Sequence, residues 1–154
     1  MVNTVRDIDL GFKELGRALK RDGFVEVGYF ANKEKHPESQ TDLAQIAIQN
    51  EFGTSTIPER SFMRSSVDEN NDKIMKYAAE ERLRVADGKQ SFDKFLNKTG
   101  LYVKAIIQKK ITLAGAWAVP NAPSTVDAKG GRQTPLVDTS FMLKNIDFKK
   151  VVIK

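Results

Sequence analysis

The one histidine, His36, stands beside Pro37 in a lysine-rich stretch, and the chain contains no cysteine. An imidazole that binds a metal or activates a nucleophile needs a second ligand or an orienting partner, and no further histidine or thiol exists to supply one. His36 is therefore expected to be a solvated loop residue. Carboxylates occur side by side in Asp68-Glu69 and Glu80-Glu81, but adjacent residues on a helix point in different directions and do not converge as an acid and a base. They read as capping or helix-face charges. Gly130-Gly131 follows Lys129 without the flanking strand and helix that a phosphate cradle requires, so a flexible turn is expected there. These residue types point away from catalysis, and no cofactor or metal is expected.

Binding chemistry is better represented. In ERSFMRSS, Arg60, Phe62 and Arg64 alternate and would share one side of an extended segment. Arginines flanking an aromatic ring suit phosphate contact and base stacking on a nucleic acid. They equally suit a protein interface, where arginine and aromatic side chains are the usual anchors, and this second reading is preferred. Trp117, in GAWAVPNAP, is either buried in its own domain or docked on a neighbour. The formal charge of +5 favours an anionic partner at long range, yet the 25 basic residues are scattered among 20 acidic ones.

These groups need a scaffold, and 154 residues suit one domain. With 40% hydrophobic and 29% charged residues the chain resembles soluble globular proteins rather than disordered ones. No run approaches the roughly 20 apolar residues of a membrane span. The start, MVNTVRDIDLGFKELG, places acids and glycines where a secretory signal needs apolar residues. A soluble protein of intracellular origin is expected.

Val5, Ile8, Phe12, Leu15 and Leu19 form the stripe of an amphipathic helix ending at Asp22-Gly23. Phe24 to Ala31 alternates as a strand, and residues 32–40 read as a loop. TDLAQIAIQNEFG predicts a helix capped by Thr41, with Leu43, Ala44, Ala47, Ile48 and Phe52 buried and Gly53 just past its end. Ser66 and Glu69 in SVDE make a capping box, opening a helix that runs through Ile74, Tyr77, Ala78 and Leu83 to Ala86. After Asp87-Gly88, Ser91 begins another helix with Phe92, Phe95, Leu96, Thr99, Val103, Ile106 and Lys110 on one side. Residues 114–135, with three glycines and three prolines, predict an extended loop. A helical turn around Phe141, Met142 and Leu143 and a closing strand, DFKKVVIK, end the chain. The expected fold is α+β: a small, mainly antiparallel sheet packed against helices, two of them long, with one long loop. Two strands alone are marginal, so a third is expected from residues 57–65 or from a partner subunit.

Two segments, AIQNEFGTSTIPERSFMRSSVDENNDKI and NAPSTVDAKGGRQTPLVDTSFMLKNI, resemble the small bacteriophage tail-completion or head–tail joining (neck) proteins. That group carries an asparagine-glutamate-phenylalanine-glycine turn, here Asn50 to Gly53, and an isoleucine-proline-x-arginine-x-phenylalanine-x-arginine segment, here Ile57 to Arg64. Later come asparagine-alanine-proline-serine-threonine and proline-leucine-x-aspartate-threonine, here Asn121 to Thr125 and Pro135 to Thr139. The likeness covers the middle and C-terminal two thirds of the chain in the expected order. It departs at Ser61, where proline is common, and at Ser140, where glycine usually follows. The resemblance implies one domain over residues 1–154 acting by protein–protein binding in the virion. Its subunits would form a ring, of about six, at the neck or tail terminus, meeting connector and tail-tube proteins. Arg60, Phe62, Arg64, Trp117, Lys129 and Arg132 are the candidate contact residues, drawn from residues 57–64 and the loop over 114–135.

Overall fold

The structure, a computed structural model, describes residues 20–31, 40–137 and 140–153 together with Gly16 and Lys35. The amphipathic stripe from Val5 to Leu19 and His36 lie outside the described residues. Strand β1 (Asp22–Gly28) is followed by helices α1 (Leu43–Phe52), α2 (Phe62–Asp68), α3 (Asn71–Ala86), α4 (Phe92–Thr112), α5 (Ala114–Trp117), α6 (Pro123–Ala128) and α7 (Phe141–Asn145), then by strand β2 (Asp147–Ile153). The two strands pair antiparallel, with Val25 opposite Lys150 and Val27 opposite Phe148. The fold is thus α+β, as its element pattern predicts. No helix among the described residues is long and apolar enough to cross a membrane.

Helix α4 organises the rest, touching both strands and α2, α3, α5 and α7. Its ends are set by local chemistry. The Ser91 hydroxyl accepts from the Lys94 N–H at 3.2 Å, and Asp93 in the first turn and Lys109 and Lys110 in the last complement the helix dipole. Its buried positions are Phe92, Leu96, Gly100, Ile107 and Ile111, displaced from the stripe expected through Ile106 and Lys110. The displacement has a cause in Gly100. Sheet and helix approach so closely there that a Cβ on Gly100 would overlap the Phe148 ring.

The larger core joins Leu43, Ala47, Phe62, Ile107, Ile111, Ala114, Leu136, Met142 and Ile146, and a smaller one joins Val85, Phe92 and Leu96. Tyr29 closes the first from the strand side, edge-on to Phe62 with ring centroids 6.3 Å apart. Its hydroxyl donates to the Met142 carbonyl at 2.8 Å, and burial pushes its pKa well above the usual phenol range.

Several local expectations are corrected. Helix α1 is capped by Asp42, whose carboxylate accepts from the Ala44 N–H at 2.8 Å, rather than by Thr41. Its buried residues are Leu43, Ala47 and Glu51, while Ile48 and Phe52 face outward. The Ser66–Glu69 capping box does not form. Ser66 is buried inside α2, donating to the Met63 carbonyl, and Glu69 instead binds the Lys110 ammonium at 2.6 Å. Residues 57–65 supply no third strand, because the helical turn begins at Phe62. The stretch 114–135 is no extended loop but carries α5 and α6, with Ala114 wholly buried.

Glu81, read as a helix-face charge, is buried beside Lys98 (2.7 Å), Gln90 (2.8 Å) and Arg84 (3.5 Å). The Lys98 hydrogen bond, against the opposing effect of burial and helped by Gln90 and by the charges of Lys98 and Arg84, holds its pKa below the usual glutamate value. A depressed folded-state pKa adds stability above the unfolded value of about 4.3, and that stability is lost as pH falls through the folded value. Glu81→Gln is therefore expected to lower the thermal midpoint at pH 7, with the gap from wild type closing below about pH 4.3; a gap constant across pH in circular-dichroism melts would contradict this. Phe62→Ala should cost about 3–5 kcal/mol in urea unfolding, the range for a buried aromatic truncation, whereas a surface role predicts almost no change.

Candidate interaction site

The segments singled out in the sequence meet around Glu51. This residue lies in the last turn of α1, where the helix dipole disfavours an anion. Its carboxylate is turned instead to the start of α2 and is 4% exposed. There it accepts from the Ser61 hydroxyl (3.0 Å), the Met63 N–H (2.8 Å), the Arg64 N–H (2.9 Å) and the Arg64 Nε (3.0 Å). Free amides at a helix start are natural partners for a carboxylate, and charge-assisted bonds of this kind offset the cost of burying it. The cap comes from another helix, which is why a search for a local capping residue misplaces the beginning of α2.

Between α1 and α2 the chain makes a tight turn. Gly53 has φ 72°, and a Cβ on it would stand 2.9 Å from the Glu59 nitrogen; left-handed backbone and close approach together call for glycine. The Thr54 hydroxyl accepts from the Thr56 and Ile57 amides, and the Thr54 N–H donates to the Ile57 carbonyl. The turn delivers Arg60, whose N–H donates to the Asn50 carbonyl at 2.7 Å.

Arg60 is 6% exposed. Its Nε donates to the Val119 carbonyl (2.8 Å), its Nη2 to the Pro120 carbonyl and the Asn121 Oδ1 (3.2 Å each), and its Nη1 to the Asn50 Oδ1 (3.3 Å). Burial pulls its pKa down from the usual guanidinium value. Asn121 in turn donates to the Gln133 carbonyl at 3.1 Å. One buried guanidinium thus ties the turn after α1 to the chain between α5 and α6.

Of the six candidate contact residues, the structure brings some together inside the molecule and leaves others at its surface. Phe62 is fully buried in the core and cannot be an exposed anchor. The extended alternation assumed for Arg60, Phe62 and Arg64 is replaced by a turn and a helix, which send the three side chains to a buried clamp, the core and the surface. Arg64 lies half exposed, but its Nη2 binds Glu59 at 2.8 Å and its guanidinium stacks 4.4 Å above the Phe52 ring. The Glu51 hydrogen bond, together with Glu59, raises its pKa against a smaller opposing effect of desolvation. Trp117 is half-buried, donating to the Lys110 carbonyl at 2.9 Å with the Lys110 ammonium 4.7 Å above its ring, so its own-domain role is realised. Lys129 is half-buried and Arg132 exposed, and both already have partners within the chain.

An open cleft of about 320 Å³ lies between α1, the turn over 56–60, and α6 and α7. Ile46, Ile57, Pro58, Leu136 and Phe141 give it apolar walls, and Asn50, Thr125 and Lys129 line it with polar groups. That composition suits a partner's apolar side chain better than a nucleotide phosphate. Reasoning from sequence missed Glu51, Asn50 and Asn121 as the residues that build this site, although all three stand within the segments quoted for the resemblance. Among the described residues, no group of three or more histidine, cysteine, aspartate or glutamate side chains could hold a metal ion.

Arg60→Lys is expected to cost about 1–3 kcal/mol, because an ammonium cannot reproduce the planar fork and so loses part of the hydrogen bonding that the buried guanidinium makes. The urea midpoint should fall and the amides near 119–121 should exchange faster; an unchanged midpoint would count against the clamp. No protein-family model, no curated protein and no solved structure matches this chain with significance.

Proposed function

We propose that the protein is a structural subunit of a bacteriophage virion, forming a ring at the head–tail interface or the tail terminus and acting through protein–protein binding. The observation that carries this reading is the convergence of the segments on which the resemblance rests. Arg60 of the isoleucine-proline-x-arginine segment reaches both Asn50 of the first turn and Asn121 of the asparagine-alanine-proline segment. Residues far apart in sequence that share one hydrogen-bonded unit make the ordered set of motifs more specific than its parts.

The two departures from the group's pattern support the same reading. Ser140, where glycine is usual, has φ 58°, the left-handed backbone that glycine adopts without strain. Ser61, where proline is common, uses its hydroxyl on Glu51, so the change adds a contact instead of breaking the turn.

Contact with connector and tail-tube proteins is assigned to the cleft beside Lys129 and to the exposed surface around Arg132. Of the motif residues, Arg60 lines that cleft and Phe62 packs in the core beneath it. Binding to nucleic acid is less favoured, since Arg60 and Arg64 are already spent on carbonyls and carboxylates of the chain.

Multi-angle light scattering of the protein, alone and mixed with the tail-tube and connector proteins of its phage, is expected to give a ring-sized mass or a stable complex. A monomer in every mixture would overturn the reading. DNA binding that weakens steeply between about 50 and 200 mM salt would favour a nucleic-acid accessory role instead.

A further inference from the structure

Helix α3 packs its inner side against α4, with Glu81 and Val85 buried and the Tyr77 ring stacked on that of Tyr102. A helix at a surface ordinarily turns polar residues the other way. The outward side of α3 instead carries Met75, 62% exposed, and Leu83, 64% exposed, with the exposed Ala79 between them. Spaced four residues apart, the three lie within about 80° of one another around the helix. They form one apolar stripe with its smallest side chain at the middle, where a second helix could approach closely.

Charge decides what fits. On one flank of the stripe stand Lys76 and Glu80, both exposed. Within a single helix, a lysine four residues before a glutamate is the weaker order for an ion pair, and among the described residues neither enters one. Charges of mixed sign suit neither a nucleic acid nor an anionic membrane. They do suit a second α3 laid antiparallel. With Ala79 against Ala79, Met75 of each copy lies against Leu83 of the other. Lys76 then comes onto the same flank as Glu80 of the other copy, offset by about 3 Å along the axis, and the pair occurs twice. Asp72 comes opposite Ala86, beside the Lys89 ammonium that Asp87 holds at 2.7 Å. A parallel pair would put the two Lys76–Glu80 flanks on opposite sides of the contact, out of each other's reach.

We infer that the outward face of α3 pairs with the same face of a second copy of this chain, antiparallel about Ala79. Such a contact is isologous and closes at two subunits. It lies apart from the cleft assigned above to other virion proteins, to which α3 contributes no residue, and it does not rest on the ring reading.

Light scattering of the full chain over a concentration series should show a monomer–dimer equilibrium. Lys76→Glu and Glu80→Lys each set like charges on both sides of the two-fold and should weaken the dimer by roughly tenfold, whereas the chain carrying both changes regains unlike pairs and should dimerise like the wild type. Leu83→Glu should stay monomeric, with a thermal midpoint equal to that of wild type measured too dilute to pair. Because the chain has no cysteine, Ala79→Cys places a single thiol at the centre of the contact. Mild oxidation should link two such copies, and should not link Thr112→Cys, exposed on α4. A wild type still monomeric at about 1 mM, a double charge variant no better than the single ones, or linking through Thr112→Cys as ready as through Ala79→Cys would overturn the inference. So would a Leu83→Glu monomer that melts earlier than dilute wild type, since the stripe would then be covered within its own subunit.

Discussion

A buried carboxylate is costly unless it is fully hydrogen-bonded, and Glu51 meets that condition only where α1 ends against the beginning of α2. Much of the molecule's geometry follows from it. The four donors to Glu51 come from Ser61, Met63 and Arg64, so the chain must double back within the few residues after Phe52. Gly53 permits that reversal, and Arg60 is set down facing the stretch from Val119 to Asn121. Phe62, at the start of α2, is thereby delivered into the core beneath Ile107 and Ile111.

Helix α4 supplies the second fixed element. The sheet lies against it where Gly100 admits the Phe148 ring, α3 runs beside it through the stacked Tyr77 and Tyr102 rings, 4.2 Å apart, and Glu81 joins the two helices through Lys98. Further along, Lys110 links α4 to Glu69 and covers the Trp117 ring. The cations nearest the motif segments are consequently occupied within the chain.

The turn between α1 and α2 and the two-stranded sheet are held in different ways. The turn between α1 and α2 is held by short backbone and side-chain bonds from Thr54 to Arg60, which suits a surface that must be presented without reordering. The sheet has only two strands among the described residues, and packing against α4 supplies the support that two strands alone lack.

The sequence by itself determined the α+β class, the long helix from Phe92, the break at Asp87-Gly88, the cap at Ser91 and the two strands, because hydrophobic periodicity and turn chemistry act over a few neighbouring residues. It also presented, in order, the segments that later met. Tertiary structure alone decided what those segments do. Arg60, Phe62 and Arg64 alternate in the chain, yet a carboxylate from another helix turns the last two into the first turn of α2 and sends one ring inward. Ile48 and Phe52 have the spacing of buried residues but face outward, and Glu51 and Glu81 have the charge of surface residues but face inward. In each case the deciding partner lies across a turn or on another helix, where local pattern carries no information about which groups will be brought within hydrogen-bonding distance.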